Sequence, residues 1–256
     1  MKCFEFLLSS RENKPRKKGF TMVLDRGLGF ETAKNLMEIS GEYVDFLKFG
    51  WGTTIVHDKE IIKKKIEMYK SFEIIPYTGG TLFEIAYASN KVKEFFKEAK
   101  NIGFEAIEIS NGSTDMKKDE KFDFISMAKE EEFYVLSEVG KKDPVADSNI
   151  DLDEKVALIN SELKAGSDKA IIEARESGKN IGVFDDKGIA KEKEVDYISK
   201  HITQKDIIWE APNKNQQVFF VLKFGKNINL GNISSDDITS LETIRRGFRG
   251  DTLNKI

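Results

Sequence analysis

A single (β/α)8 TIM barrel is the architecture this sequence predicts, and three observations predict it. Eight short apolar runs recur along the chain, most of them ending in a charged or small polar residue. Neighbouring runs are separated by roughly 15–35 residues, room for the crossover helix that parallel strands need. The runs are continuously apolar rather than alternating, as expected of parallel strands covered on both faces. At 256 residues the chain has the length of one such barrel, so one domain over residues 1–256 is expected.

The elements follow in order. Residues 1–19 form an N-terminal extension, in which Phe4 to Leu8 is expected to cover the open bottom of the barrel. Thr21–Asp25 reads as the first strand and Glu31–Ile39 as its helix. Phe46–Gly50 is followed by helical spacing over Lys59–Lys70, and Ile74–Tyr77 by Leu82–Ile102. Ala106–Ser110 precedes a helix over Phe122–Glu131. After Tyr134–Glu138, the residues Leu152, Val156, Ile159 and Leu163 recur at steps of three and four and give one buried stripe. Ala170–Glu173 is the sixth run. The long connection 174–190 after it carries Gly178, Gly182 and Gly188 and reads as an active-site lid. Helix Glu192–His201, strand Ile207–Glu210, helix Gln216–Phe224, strand Ile228–Gly231 and helix Ile238–Arg245 complete the pattern.

Composition excludes several classes. A net charge of −3 leaves no basic excess to neutralise a nucleic acid. Cys3 is the only cysteine, so neither a disulfide framework nor a thiolate metal cluster is available. No run approaches the ~20 apolar residues of a membrane span, and residues 1–20 lack a signal-peptide pattern; a soluble, cytoplasmic protein is expected. His57 and His201 lack metal-ligand spacing, and Ser137 and Ser177 have no histidine at a strand end. Gly178-Lys179-Asn180 fails the P-loop pattern, with Glu173 and Asn180 at positions that need Gly and Ser or Thr.

The chemistry is expected at the C-terminal ends of the strands. Asp25, Glu108, Glu138, Glu173 and Glu210 each lie within or just after an apolar run. A buried carboxylate needs a cation, a metal or hydrogen-bond donors. The matching cations are Lys48, Lys141 and Arg175. Ion pairs filling the upper barrel satisfy this pattern, and so does a site for a hard cation such as Mg2+, which prefers oxygen ligands. Gly231, Asn232 and Ile233 precede a helix whose first amides suit an anion. Arg245, Arg246 and Arg249 cluster on the last helix, placed to bind an oxyanion, to satisfy carbonyls there or to cross a subunit contact.

Eight ordered motifs resemble the phosphosulfolactate synthase family: Val23–Leu28, Lys48–Thr53, Gly79–Glu84, Phe104–Ser110, Glu138–Lys142, Glu173–Gly178, Glu210–Pro212 and Leu241–Asp251. The resemblance implies a barrel enzyme, a carbon–sulfur lyase, that adds sulfite to phosphoenolpyruvate with Mg2+ to give (2R)-phospho-3-sulfolactate. Such a product leads to coenzyme M in methanogens or to sulfolactate in some bacteria. Arg26 and Asn111 stand where the archaeal pattern has Lys and Asp; the first keeps the charge, the second removes a carboxylate. On this resemblance a subset of Asp25, Glu84, Glu108, Glu138, Glu173 and Glu210 holds Mg2+. Lys48 and Arg175 take the substrate carboxylate and sulfite, and the amides of Gly231, Asn232 and Ser234 take the phosphate, with Arg245 and Arg246 as further anion ligands. Lys141 is expected to protonate C2, with Lys142 as its rival. The partners expected are these two small anions and, in a homo-oligomer, further copies of the chain. A Schiff-base lyase or aldolase and a non-catalytic stress or scaffold barrel are the competing readings.

Overall fold

The computed structural model describes residues 2–256. Its parallel strands close into a barrel in sequence order: β1 (Thr21–Asp25), β2 (Phe46–Phe49), β3 (Ile75–Thr78), β4 (Ala106–Ile109), β5 (Tyr134–Val139), β6 (Lys169–Ile172), β7 (Ile207–Glu210) and β8 (Leu230–Ser234). Outside them lie α1 (Phe30–Ser40), α2 (Thr53–Val56), α3 (Lys59–Ser71), α4 (Gly80–Ala88), α5 (Val92–Ile102), α6 (Lys118–Glu130), α7 (Pro144–Ser148), α8 (Leu152–Ala165), α9 (Glu192–His201), α10 (Lys214–Phe224) and α11 (Ile238–Arg245). Among the described residues no helix is long and apolar enough to cross a membrane.

Alternation along the strands builds two cores. Residues such as Val23, Leu47, Ile107, Val135 and Trp209 face the helices, whereas Met22, Phe46, Tyr77, Ala106, Leu136, Ile171 and Ile208 fill the barrel interior. Two residues further along five of these strands stand Lys48, Glu108, Glu138, Glu173 and Glu210. Strand side chains repeat every second residue, so a charged layer rests directly on the apolar one.

Besides the short helices α2 and α7, which were not expected, two elements differ in extent. The helix expected over Leu82–Ile102 is broken into α4 and α5, where Asn90 turns with φ 55, a conformation that Asn tolerates better than most residues. Strand β8 runs to Ser234, past the bounds expected from its apolar run. Its pairing with β1 slips between Thr21 and Val23, and Asn232 has φ 56, the mark of a bulge. Gly231 meets the barrel interior closely: a Cβ there would lie 2.3 Å from Met22 Cε and 2.9 Å from Ile208 Cγ2, so both would have to shift. The expected anion-binding turn at Gly231, Asn232 and Ser234 is therefore strand, and its amides do not open the helix.

The bottom of the barrel is sealed by guanidinium groups instead of the N-terminal aromatics. Phe4 and Phe6 are 72% and 84% exposed. Arg245 is fully buried and donates from Nη1 to the carbonyls of Lys226 and Ile228, both at 2.7 Å, and from Nη2 to that of Phe20 at 3.0 Å. Arg246 donates to Glu242 and to the Ser9 carbonyl, each at 2.6 Å. Both arginines thus lie at the end opposite the charged layer, and the anion-binding role expected of them is corrected to a structural one. Each buried acceptor left unpaired costs about 1–3 kcal/mol. Arg245→Met should therefore lower unfolding stability by at least about 3 kcal/mol in urea titrations, while folded protein keeps its turnover.

Candidate active site at the barrel mouth

Lys48 is the hub of the mouth. Its Nζ lies 3.0 Å from Glu108 Oε2 and 3.5 Å from both Glu138 Oε2 and Glu210 Oε1. Burial works against the ammonium charge, but Glu108, Glu138 and Glu210 outweigh it and hold Lys48 well above its ordinary pKa. Above these groups opens a cavity of about 240 Å³, lined also by Leu24, Trp51, Thr81, Ser113, Lys142, Arg175, Glu176 and Asn232. This volume is below the range of about 300–1,000 Å³ common for drug-sized ligands. The site suits small, highly charged substrates.

The four buried carboxylates differ in state. Burial opposes the charge of Glu138, yet Lys48 and Lys142 hold it well below the usual carboxylate range. Burial, together with Glu138 and Glu210, pushes Glu173 well above that range. Glu210 is raised by burial despite Lys48. Glu108 is raised by burial to about 7, with Lys48 opposing and Glu138 adding to the shift. Oxygen atoms of Glu138, Glu173 and Glu210 lie within 4.8 Å of one another. Glu173 Oε1 accepts from the Arg175 amide at 2.6 Å, whereas its buried Oε2 has no partner. A trio of hard oxygen donors with one atom unsatisfied fits a divalent cation such as Mg2+.

A carboxyl whose pKa rises on folding binds its proton more tightly in the folded state, so its contribution to stability falls as pH rises from about 4.5 through about 7. Glu108→Gln mimics the protonated carboxyl at every pH and so removes the loss that the parent suffers on ionisation. The variant's Tm should exceed that of the parent at about pH 8, and the margin should shrink towards zero as pH falls to the unfolded value. Thermal scans across pH check both limbs; a margin independent of pH would contradict the assignment.

Two loops complete the mouth. From α4, Glu84 accepts from Ser110 Oγ, from the amides of Gly112 and Ser113 at 2.9 and 3.0 Å, and from Lys142 Nζ at 3.3 Å. Both of its oxygens are thus occupied in shaping the loop after β4. Lys142 Nζ also bonds Thr81 Oγ1 at 3.1 Å and lies 3.8 Å from Glu138. Burial would lower its pKa, but Glu138, Glu84 and Glu173 outweigh burial and raise it. Lys141 turns aside: its Nζ donates to the carbonyls of Asn111 and Thr114 at 2.6 and 3.1 Å, and burial lowers its pKa. The mouth thus receives Lys142 and not the expected Lys141. The signal for this lay in the period of two, since counting from Glu138 reaches Gly140 and then Lys142.

The connection 174–190, expected as a lid, is packed against the barrel. Ile181, Val183 and Phe184 are buried, and Gln216 Nε2 donates to the carbonyls of Gly178 and Gly188 at 2.7 and 3.1 Å. Asp147 accepts from the amides of Lys141 and Gly182 at 3.0 and 2.9 Å and pairs with Lys155 at 3.1 Å. One carboxylate thereby ties the loops after β5 and β6 to α8. Arg175 begins the connection with φ 57, reaches the cavity, and donates to the Lys142 carbonyl at 3.2 Å.

The remaining expected residues separate. Asp25 faces the helices: its carboxylate pairs with Lys65 at 2.6 Å, accepts from Tyr69 at 2.8 Å, and takes the amides of Gly27 and Leu28 at 2.8 and 2.7 Å. It is fully satisfied, so neither Asp25 nor Glu84 belongs to the candidate metal trio. Asn232 enters the mouth, where its Nδ2 donates to Glu210 at 3.3 Å. Ser234 accepts from Arg26 at 3.3 Å. Sequence reasoning missed Trp51, which lines the cavity with φ 52. A left-handed conformation at so bulky a residue costs of order 1–3 kcal/mol. Its position between Gly50 and Gly52 was the available signal.

Comparison with known proteins places this geometry in context. Residues 9–251 match the family model described as (2R)-phospho-3-sulfolactate synthase (ComA). The chain is 53% identical to a phosphosulfolactate synthase of Methanothermobacter thermautotrophicus, covering 100% of this chain and 99% of that one. It is 40% identical to a phosphosulfolactate synthase of Bacillus subtilis, covering 98% and 99%. Among solved structures, 3-hexulose-6-phosphate synthase from Salmonella typhimurium superposes with a TM-score of 0.58 at 14% identity, covering 88% of this chain and 97% of that one. That last likeness concerns the fold alone.

Proposed function

Because the chain belongs to the (2R)-phospho-3-sulfolactate synthase family, we propose that it joins sulfite to phosphoenolpyruvate to form (2R)-phospho-3-sulfolactate. The observation that carries this reading is the meeting, around one small cavity, of three cations and a buried carboxylate trio. Lys48, Lys142 and Arg175 receive the two anionic substrates and offset their mutual repulsion. The sulfur lone pair of sulfite forms the C–S bond at C3, and the C2–C3 π pair moves towards the carboxylate as an enolate. A proton then reaches C2; no group leaves, and the phosphate ester is retained. We assign that proton to Lys142, which its carboxylate neighbours keep charged and whose amine stands at the cavity.

Glu138, Glu173 and Glu210 are the residues we assign to Mg2+. This ion usually takes one or two carboxylates and keeps several waters, so part of the trio acts by orienting the rest. When bound, it supplies positive charge that stabilises the enolate oxygens. The test is sulfite-dependent consumption of phosphoenolpyruvate, followed by phosphorus NMR with Mg2+ and after EDTA. Consumption that does not need sulfite, or product formation at full rate after EDTA, would overturn the corresponding half of the reading.

Arg175→Ala should raise the KM of at least one substrate by about 10–100-fold, the loss of a charge-assisted contact worth about 1.5–3 kcal/mol. Arg175→Lys should recover only part of it, because an ammonium lacks the planar fork. Initial-rate kinetics with each substrate varied in turn check this. A Schiff-base mechanism requires a neutral lysine in the mouth, and Lys48 and Lys142 are both held charged.

A further inference from the structure

We propose that Trp51 is a substrate-covering residue whose indole shields bound phosphoenolpyruvate from water; the inference rests on the reaction proposed above and concerns a different part of the same mouth. The first observation is the backbone. Gly50 donates its amide to the Asp25 carbonyl at 2.9 Å, and the Gly50 carbonyl accepts from the Thr53 amide at 3.2 Å and from Thr53 Oγ1 at 2.8 Å. This turn is fixed against β1, where a Cβ on Gly50 would lie 2.7 Å from Leu24 Cδ1. Trp51 has φ 52 and Gly52 after it has φ −103, so the chain reverses its handedness between them. A positive φ inside a tight turn is normally taken by glycine or asparagine. Here glycines flank that position, and the largest side chain of the set occupies it.

The second observation is the surroundings. Trp51 is 42% exposed and stands over a cavity otherwise lined almost wholly by charged and polar groups, including Lys48, Lys142, Arg175 and Asn232. Among the described residues its ring has no aromatic partner, and its indole N–H meets no protein acceptor. Trp209, the other tryptophan, is fully buried, donates to Gln204 at 2.8 Å and stacks on Phe220. A strained, half-exposed indole that does not serve the core is placed to serve a ligand. An enolate must receive its proton from one donor, and an apolar cover over the substrate keeps water from competing.

The experiment compares the parent with Trp51→Gly and Trp51→Phe. Phosphoenolpyruvate should quench tryptophan fluorescence in the parent, and the quenching should vanish in Trp51→Phe, which retains only Trp209. Trp51→Gly should keep a Tm at or above that of the parent, since it relieves the left-handed strain, yet raise the KM for phosphoenolpyruvate about tenfold or more; Trp51→Phe should restore most of that loss. A fall in Tm of several degrees with unchanged kinetics would show a purely structural residue and overturn the proposal. Absence of quenching in the parent would also overturn it. If sulfite-dependent turnover itself were absent, the proposed reaction would fall, while the quenching by phosphoenolpyruvate would still decide the role of Trp51.

Discussion

Lys142→Ala should lower kcat by about 10²–10⁴-fold, the usual loss when a general acid is removed. Phosphoenolpyruvate binding, read by equilibrium titration, should weaken much less than turnover. Lys141→Ala should stay within a few-fold of the parent, because the Lys141 amine bonds loop carbonyls outside the mouth. The contrast matters more than either value. Both substitutions remove one ammonium from adjacent positions, so a general electrostatic effect would weaken both. Collapse in Lys141→Ala with near-normal turnover in Lys142→Ala would reverse the proton assignment.

Lys48→Met should reduce turnover by about 10²–10³-fold, as removal of a preorganised charge at a reacting centre typically does. It should also destabilise the fold by about 3–5 kcal/mol near neutral pH, because Glu108, Glu138 and Glu210 lose their shared cation in a buried layer. Without the ammonium these carboxyls hold protons more tightly in the folded state. The deficit should therefore shrink as pH falls and widen as pH rises. Adding Glu108→Gln to Lys48→Met should return part of the stability and none of the activity. Chemical denaturation at two pH values, beside initial rates, separates the two effects.

Much of this architecture was legible because each strand carries its own punctuation. β1 and β7 match the apolar runs that predicted them to the residue, since Asp25 and Glu210 end them abruptly. β8 was misplaced because Gly231-Asn232 has the composition of a turn; only contact with Met22 and Ile208 shows why glycine sits inside a strand. At the site, Lys48, Glu108, Glu138, Glu173 and Glu210 were readable from strand ends alone. Asp25 was readable in position and not in direction, because its partner Lys65 comes from α3, some forty residues on. Arg245 illustrates the same limit: a cluster of arginines in sequence does not tell which end of the barrel receives it, and tertiary contact assigns it to the bottom.

The composition of the cavity wall bears on how the site fills. Its lining holds Glu108, Glu138, Glu173, Glu176 and Glu210 against Lys48, Lys142 and Arg175. With Glu173 held protonated and Glu108 titrating at about 7, the negative and positive charges of the wall come close to balance near neutral pH. Such a balance shifts with pH: loss of the Glu108 proton adds a negative charge inside a low-dielectric enclosure, where dissolved salt screens it only partly. A mouth of this kind is poised at the edge of a sign change, and its attraction for any anion weakens as pH rises through about 7.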